Sequence, residues 1–246
     1  VASLPFELTD DQSKSLKEIL HDLTQTIPMN RLLVGDVGSG KTVVAAIAMY
    51  AAYTNGLQSI LMAPTQILAE QHYETITKLL GPLEITVGLA TGDRIENEES
   101  RILIGTHALL SDSMKFKKLG LVVIDEQHRF GVEQRAKLSE IKFRGKTPHL
   151  LTMTATPIPR TAARILFGNL DLSILNQMPK GRAKVKTWVV PSSKREAAYQ
   201  WITKEINQTG GQAFIICPLI EESETRATVK AVKAEYERLK TVFPKF

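Results

Sequence analysis

The run Gly35-Asp36-Val37-Gly38-Ser39-Gly40-Lys41-Thr42 meets every fixed position of the phosphate-binding loop pattern, between an apolar run at 32–34 and an apolar-periodic segment that follows. Such a loop works only between a strand and a helix. It therefore constrains the chain to an α/β architecture with a nucleoside triphosphate at that turn. Gly35, Gly38 and Gly40, with Ser39 among them, let successive backbone N–H groups turn inward around the phosphates. Lys41 places a point charge on the β- and γ-phosphate oxygens, and the Thr42 hydroxyl can ligate Mg²⁺. The helix expected over 41–55 adds the positive end of its dipole.

Short β-rich apolar runs at 32–34, 59–63, 86–89, 101–104, 121–124 and 150–153 alternate with helix-periodic segments at 42–54, 66–80, 132–140 and 160–167. The alternation predicts a doubly wound parallel sheet with helices on both faces. A first helix over Asp10–Leu23 carries Leu16, Ile19, Leu20 and Leu23 at helical spacing, with Thr9 as its N-cap. The pattern breaks at Met178-Pro179-Lys180-Gly181-Arg182, a stretch of the kind that joins domains. Residues 1–177 thus read as one domain and 178–246 as part of a second. The second reads strand 185–190, helix 195–207, strand 213–217 and helix 229–239. That is about half a doubly wound domain, and ~70 residues make a small core, so it is expected to be incomplete.

At 246 residues and 43% apolar, the chain has material for a sizeable core. No apolar run approaches the ~18 residues of a membrane span, and the N-terminus lacks the layout of a signal peptide. The expected compartment is the cytoplasm, with no membrane partner. Cys217 stands alone, which excludes an internal disulfide, and it reads as a small buried hydrophobe. His21, His72, His107, His128 and His149 are too scattered for a zinc site, so no structural metal is expected. The net charge of +5 is uneven: residues 1–177 hold 18 Lys/Arg against 19 Asp/Glu, whereas 178–246 hold 13 against 7. A basic second part fits a phosphate-backbone partner and fits equally a solvated face. Trp188 and Trp201, among apolar neighbours, read as packing residues.

Leu121-Val122-Val123-Ile124-Asp125-Glu126 reads as a buried parallel strand ending in two carboxylates, at the end of the sheet where open α/β folds place ligands. Asp125 can hold the Mg²⁺ that Thr42 also touches, and Glu126 can accept a proton from an attacking water. Three polar clusters fall on the same rim: Ala63-Pro64-Thr65-Gln66, Gly105-Thr106-His107, and Thr152-Met153-Thr154-Ala155-Thr156-Pro157. Their hydroxyls and N–H groups suit phosphates of a nucleic-acid strand, and each alone also reads as a helix cap or turn.

In this order, the phosphate loop, Ala63-Pro64-Thr65, Gly105-Thr106-His107, Asp125-Glu126-Gln127-His128 and Thr154-Ala155-Thr156 resemble the motor core of second-superfamily DNA and RNA helicases. Phe6-Glu7-Leu8-Thr9-Asp10-Asp11-Gln12 is similar to that family's adenine-reading segment. Asp125 through Gly131 and Thr154 through Thr161 narrow the resemblance to RecG-type helicases and to transcription-repair coupling translocases, and Gln127 with Pro218-Leu219-Ile220-Glu221-Glu222-Ser223-Glu224 favours the RecG type. The resemblance implies a monomeric ATP-driven translocase with two RecA-like domains that remodels branched DNA, reversing stalled forks and migrating Holliday junctions. It implies adenine contacts from Phe6 and Gln12, phosphate contacts from Gly35, Gly38, Ser39, Gly40, Lys41 and Thr42, Mg²⁺ on Asp125 and Thr42, and Glu126 as the base. Gln127, His128, Thr154, Thr156 and Arg160 would couple the nucleotide to the DNA surface, with Pro64, Thr65, Gln66, Thr106 and His107 along the DNA track.

Departures from the pattern shape further expectations. The resemblance implies a wedge domain that selects forks over plain duplex and an arginine motif that reaches the γ-phosphate, and neither is expected within this sequence. An arginine finger is worth about 10³ to 10⁵ in turnover, so the chain alone is expected to bind ATP far better than it hydrolyses it. The segment 91–100 is short and acidic where the resemblance implies a longer basic insertion. Two rival readings are a nucleotide-binding module that does not hydrolyse, which has no need of Glu126, and a small-molecule kinase, for which no acceptor pocket or lid is evident.

Overall fold

The computed structural model describes residues 4–111, 114, 116–126, 147–156, 170–181, 185–216 and 232–243. The helices expected over 132–140 and 160–167 lie outside the described residues. The chain divides into two compact units, Val1–Arg182 and Ala183–Phe246. The first unit has strands β1 (Asn30–Gly35), β2 (Gln58–Met62), β3 (Val87–Ala90), β4 (Ile95–Glu96), β5 (Ile102–Gly105), β6 (Leu119–Asp125), β7 (His149–Thr154) and β8 (Asp171–Leu175). Its helices are α1 (Asp10–Leu23), α2 (Lys41–Thr54) and α3 (Gln66–Leu80). The strands form one sheet in the order β4-β3-β5-β2-β6-β7-β1-β8, parallel throughout except for β3 with β4.

The six expected strands all form. Along β2 and β6 successive residues enter opposite faces: Leu61, Leu121 and Val123 pack in one cluster, whereas Ile60, Met62, Val122 and Ile124 pack in another. Burial on both faces explains why these strands are continuous apolar runs. Each Leu or Ile so buried contributes about 1.5–3 kcal/mol. In α2, Val44, Ala45, Ala46, Ala48, Met49 and Ala52 are buried, and the alanines let the helix lie close to the sheet. β4 and β8 escape sequence patterning for different reasons. β4 is two residues long with Ile95 exposed, and β8 is an edge strand in which only Ser173 and Leu175 are buried.

One buried ion network fixes α1 on the sheet. Arg31 of β1, 8% exposed, donates to Asp22 at 2.7 Å, to Glu18 at 3.4 Å and to the Ser173 hydroxyl at 3.0 Å. At the other end of α1, Asp11 accepts the backbone N–H groups of Asn176 and Gln177 at 2.8 and 3.0 Å. Two ends of one helix are thus held, and Gln12 between them has little freedom.

The second unit contains α4 (Arg195–Thr209) and α5 (Val232–Val242). The rings of Tyr199 and Phe243 meet edge-on at 5.5 Å, and the Tyr199 hydroxyl donates to Glu235 at 3.0 Å. α4 ends at Gly210, whose φ of 66° gives the left-handed turn that closes a helix. The strands expected over 185–190 and 213–217 do not form in the described residues. A strand needs a hydrogen-bonding neighbour, and among the described residues of this unit none lies alongside. Trp188 and Trp201, expected as packing residues, are consequently 72% and 57% exposed.

Candidate nucleotide site

Register brings the chemistry together. β7 lies between β1 and β6, with Val34 opposite Thr154 and Asp125 opposite Met153. The loop after β1, the carboxylates ending β6 and the Thr154 that ends β7 therefore share the C-terminal rim of the sheet. That rim is where doubly wound folds bind ligands.

The phosphate loop is built to receive an anion. α1 and α3 have Thr9 and Thr65 as side-chain caps, whereas α2 starts at Gly40 with no side-chain cap and no acidic residue in its first turn. Its leading N–H groups and positive dipole end are left for phosphate oxygens. Gly40 has φ 88°, and a side chain there would collide with the Gln12 amide, so glycine is required twice over. Lys41 is half-buried and turns its ammonium back onto the carbonyls of Gly35 at 2.5 Å and Asp36 at 3.1 Å. Burial pushes its pKa below the ordinary 10.5, against the opposing pull of Asp125, Glu126 and Asp36. The Ser39 hydroxyl is buried with no hydrogen-bond partner among the described residues. An uncapped helix end, a desolvated ammonium and a buried carboxylate, Asp125, on the same rim of the sheet fit a magnesium-bound nucleotide.

The two acids are held differently. Asp125 Oδ2 accepts from His72 Nε2 at 2.8 Å. Glu126 adopts φ 50°, a left-handed conformation costing a non-glycine residue roughly 1–3 kcal/mol. In that pose its carboxylate reaches β7: Oε2 accepts the Thr154 hydroxyl at 3.1 Å and Oε1 accepts the Ala155 N–H at 3.0 Å. The Thr154 oxygen in turn accepts the Thr156 N–H at 3.2 Å, with the Thr156 hydroxyl 2.9 Å away. Since Thr154 donates to Glu126, the Thr156 hydroxyl is the donor of that last pair.

Other expected site residues fall in three groups. Gln12 is buried beneath the loop, its amide donating to the Ser39 carbonyl at 2.7 Å and its oxygen accepting the Thr9 N–H at 2.9 Å. It braces the loop from below, while Phe6 is 45% exposed. Met62 pairs with both Ile124 and Gly105, so Pro64, Thr65, Gln66, Thr106 and His107 lie on the same rim. Thr65 caps α3 through the Leu68 N–H at 3.3 Å, and Thr106 is buried and accepts the Ala108 N–H at 3.4 Å, leaving His107 exposed. A side chain on Gly105 would strike the Ala90 carbonyl, which is why this motif opens with glycine. Gln127, His128 and Arg160 lie outside the described residues. The segment 91–100 supplies the turn and second strand of the β3–β4 hairpin, with Arg94 paired to Glu96. The residue that sequence reasoning missed is His72. It lies on the inward stripe of α3 with Ala69 and Ile76, and a histidine on that stripe near the site rim was the available signal.

Fold and site together define a P-loop nucleotide-binding domain of the doubly wound α/β class. Residues 9–165 match the DEAD/DEAH box helicase family, and the chain belongs to it. The chain is 46% identical to the ATP-dependent DNA helicase RecG of Aquifex aeolicus, over 99% of this chain and 32% of that protein. It is 47% identical to RecG of Bacillus subtilis, over 99% of this chain and 36% of that protein. A solved structure of RecG bound to a three-way DNA junction aligns with a TM-score of 0.80 at 38% identity, covering 98% of this chain and 32% of the other. The chain spans about a third of the length of these relatives.

Proposed function

We propose that the chain is the ATP-hydrolysing motor of a RecG-type DNA helicase that remodels branched DNA, including stalled forks and Holliday junctions. The observation that carries this reading is Glu126, turned by its left-handed backbone onto Thr154 and Ala155 beside the Lys41 loop. A module that only binds nucleotide has no use for a carboxylate so held. The RecG alignments over nearly the whole chain and the junction in the solved relative support branched DNA as the partner.

Lys41 exchanges the Gly35 and Asp36 carbonyls for phosphate oxygens when nucleotide enters, regaining the charge stabilisation that burial removed. Mg²⁺, held by Thr42 and Asp125, would neutralise the developing phosphate charge. Glu126 accepts the proton of the attacking water, and the Thr154 and Ala155 donors aim it. Because those donors sit at the end of β7 with Thr156, a shift of this segment changes the base directly. This is the coupling we assign to Thr154 and Thr156, with Gln127, His128 and Arg160 as its further members. DNA is read as running along Pro64, Thr65, Gln66, Thr106 and His107, and residues 178–246 as the first part of a second RecA-like domain. We take the motor to work as a cytoplasmic monomer; among the described residues no helix is long and apolar enough to cross a membrane.

Phosphate release with a three-way junction, plain duplex and no DNA, beside Glu126→Gln, tests the reading. Slow release, raised by the junction and lost in the variant, is expected. Release that ignores both DNA and the substitution would refute it.

A further inference from the structure

His72 makes a contact that the nucleotide chemistry above leaves unexplained. It lies on α3, 53 residues before Asp125, and reaches that carboxylate from a different layer of the fold. Both side chains are largely shielded from water, at 11% and 12% exposure, so the bond between them is little weakened by solvent. His72 is itself held firmly: Ala69 and Ile76, one turn to either side, are fully buried, and the adjacent Tyr73 hydroxyl donates to Glu96 at 3.3 Å.

We propose that His72 is a positioning residue for the metal site: its Nε2–H holds Asp125 Oδ2, fixing the carboxylate plane so that the other oxygen serves as the Mg²⁺ ligand. The inference rests on the reading of Asp125 as that ligand. A carboxylate at a strand end is otherwise free to rotate about its last torsion. Ligating carboxylates are commonly fixed by such outer hydrogen bonds, whose loss costs 10- to 100-fold in metal affinity. The bond also makes the position of α3, capped by Thr65 on the same rim, a determinant of metal-site geometry.

The test titrates Mg²⁺ into the chain with a fluorescent, non-hydrolysable ATP analogue, and repeats nucleotide binding in EDTA. The variants are His72→Gln, whose amide nitrogen reaches about as far as Nε2, and His72→Asn, whose amide falls short. The two differ by one methylene and retain similar polarity, so a general folding defect affects both. Asp125→Asn is the control. We expect His72→Asn to need roughly 10- to 100-fold more Mg²⁺ while metal-free binding is unchanged, and His72→Gln to stay near the parent. Parent-like Mg²⁺ dependence in His72→Asn, or an equal loss in both His72 variants, overturns the proposal. If Asp125→Asn leaves the Mg²⁺ requirement unchanged, the metal-site reading itself fails and the proposal goes with it. A strong Asp125→Asn effect beside a silent His72→Asn removes only the role of His72.

Discussion

The side-chain amide of Gln12 donates to the main-chain carbonyl of Ser39 at 2.7 Å, tying helix α1 to a phosphate loop 27 residues downstream. The other end of the amide accepts the Thr9 N–H in a capping box, so one residue both starts the helix and supports the loop. Its burial leaves the Ser39 carbonyl little recourse to water.

Gln12→Ala therefore strands the buried Ser39 carbonyl and the part-buried Thr9 N–H. We expect a loss of about 1–3 kcal/mol in stability and a fall of roughly tenfold in nucleotide affinity as the loop loses its brace. Thermal unfolding and a fluorescent-nucleotide titration measure the two. An unchanged melting temperature would show that the amide contributes nothing to the loop.

Thr154→Val keeps the shape of a β7 residue and removes the hydroxyl that aims Glu126 and accepts the Thr156 N–H. Hydrolysis is expected to fall by about 10²-fold, within the range a general base supplies, with nucleotide binding preserved. Single-turnover hydrolysis set beside equilibrium binding separates these. If binding falls in step with hydrolysis, the threonine is supporting the strand rather than the base.

Lys41→Ala should remove magnesium-nucleotide binding and spare the fold, since among the described residues the side chain's bonds go to the carbonyls of Gly35 and Asp36. The pH dependence follows from its lowered pKa. Phosphate is bound by the ammonium, and deprotonation in the free protein begins below the ordinary 10.5. Affinity thus falls on the alkaline side earlier than an ordinary lysine would dictate. Bound phosphate favours the charged form, so binding on that alkaline limb takes up protons. Calorimetry in buffers of different ionisation heat detects the uptake, and its absence would show that Lys41 does not face the phosphates.

Arg31→Met tests the network beneath α1. Removing the guanidinium leaves Asp22 and Glu18 without their cation, though Glu18 keeps the Ser173 hydroxyl; these are 18% and 33% exposed, so solvent recovers part of the loss. We expect destabilisation of about 2–3 kcal/mol, below the 3–5 of a fully buried pair. Denaturant unfolding reads it directly, and adding Asp22→Asn should cost less than additively if the two residues act through one bond.

Much of the first unit is legible without coordinates. A parallel strand buried on both faces must be a short apolar run, so β1, β2, β3, β5, β6 and β7 announce themselves; β4 and β8, at the sheet edges, do not. In the second unit the same reasoning misfires: 185–190 has strand composition but no neighbour among the described residues, and its Trp188 is exposed. Composition records what a segment can bury, and a strand also needs a partner.

From the sequence alone came the phosphate loop, the paired Asp125 and Glu126, and the order of strands along the chain, because each depends on residues adjacent in sequence. Only the tertiary structure decided what those residues touch. It set Val34 level with Thr154 and Asp125 level with Met153, turned Glu126 onto β7, buried Gln12 under Ser39, and brought His72 to Asp125. Those contacts join segments that strand order and register place together, and such long-range pairing has no local signature for a linear reading to find.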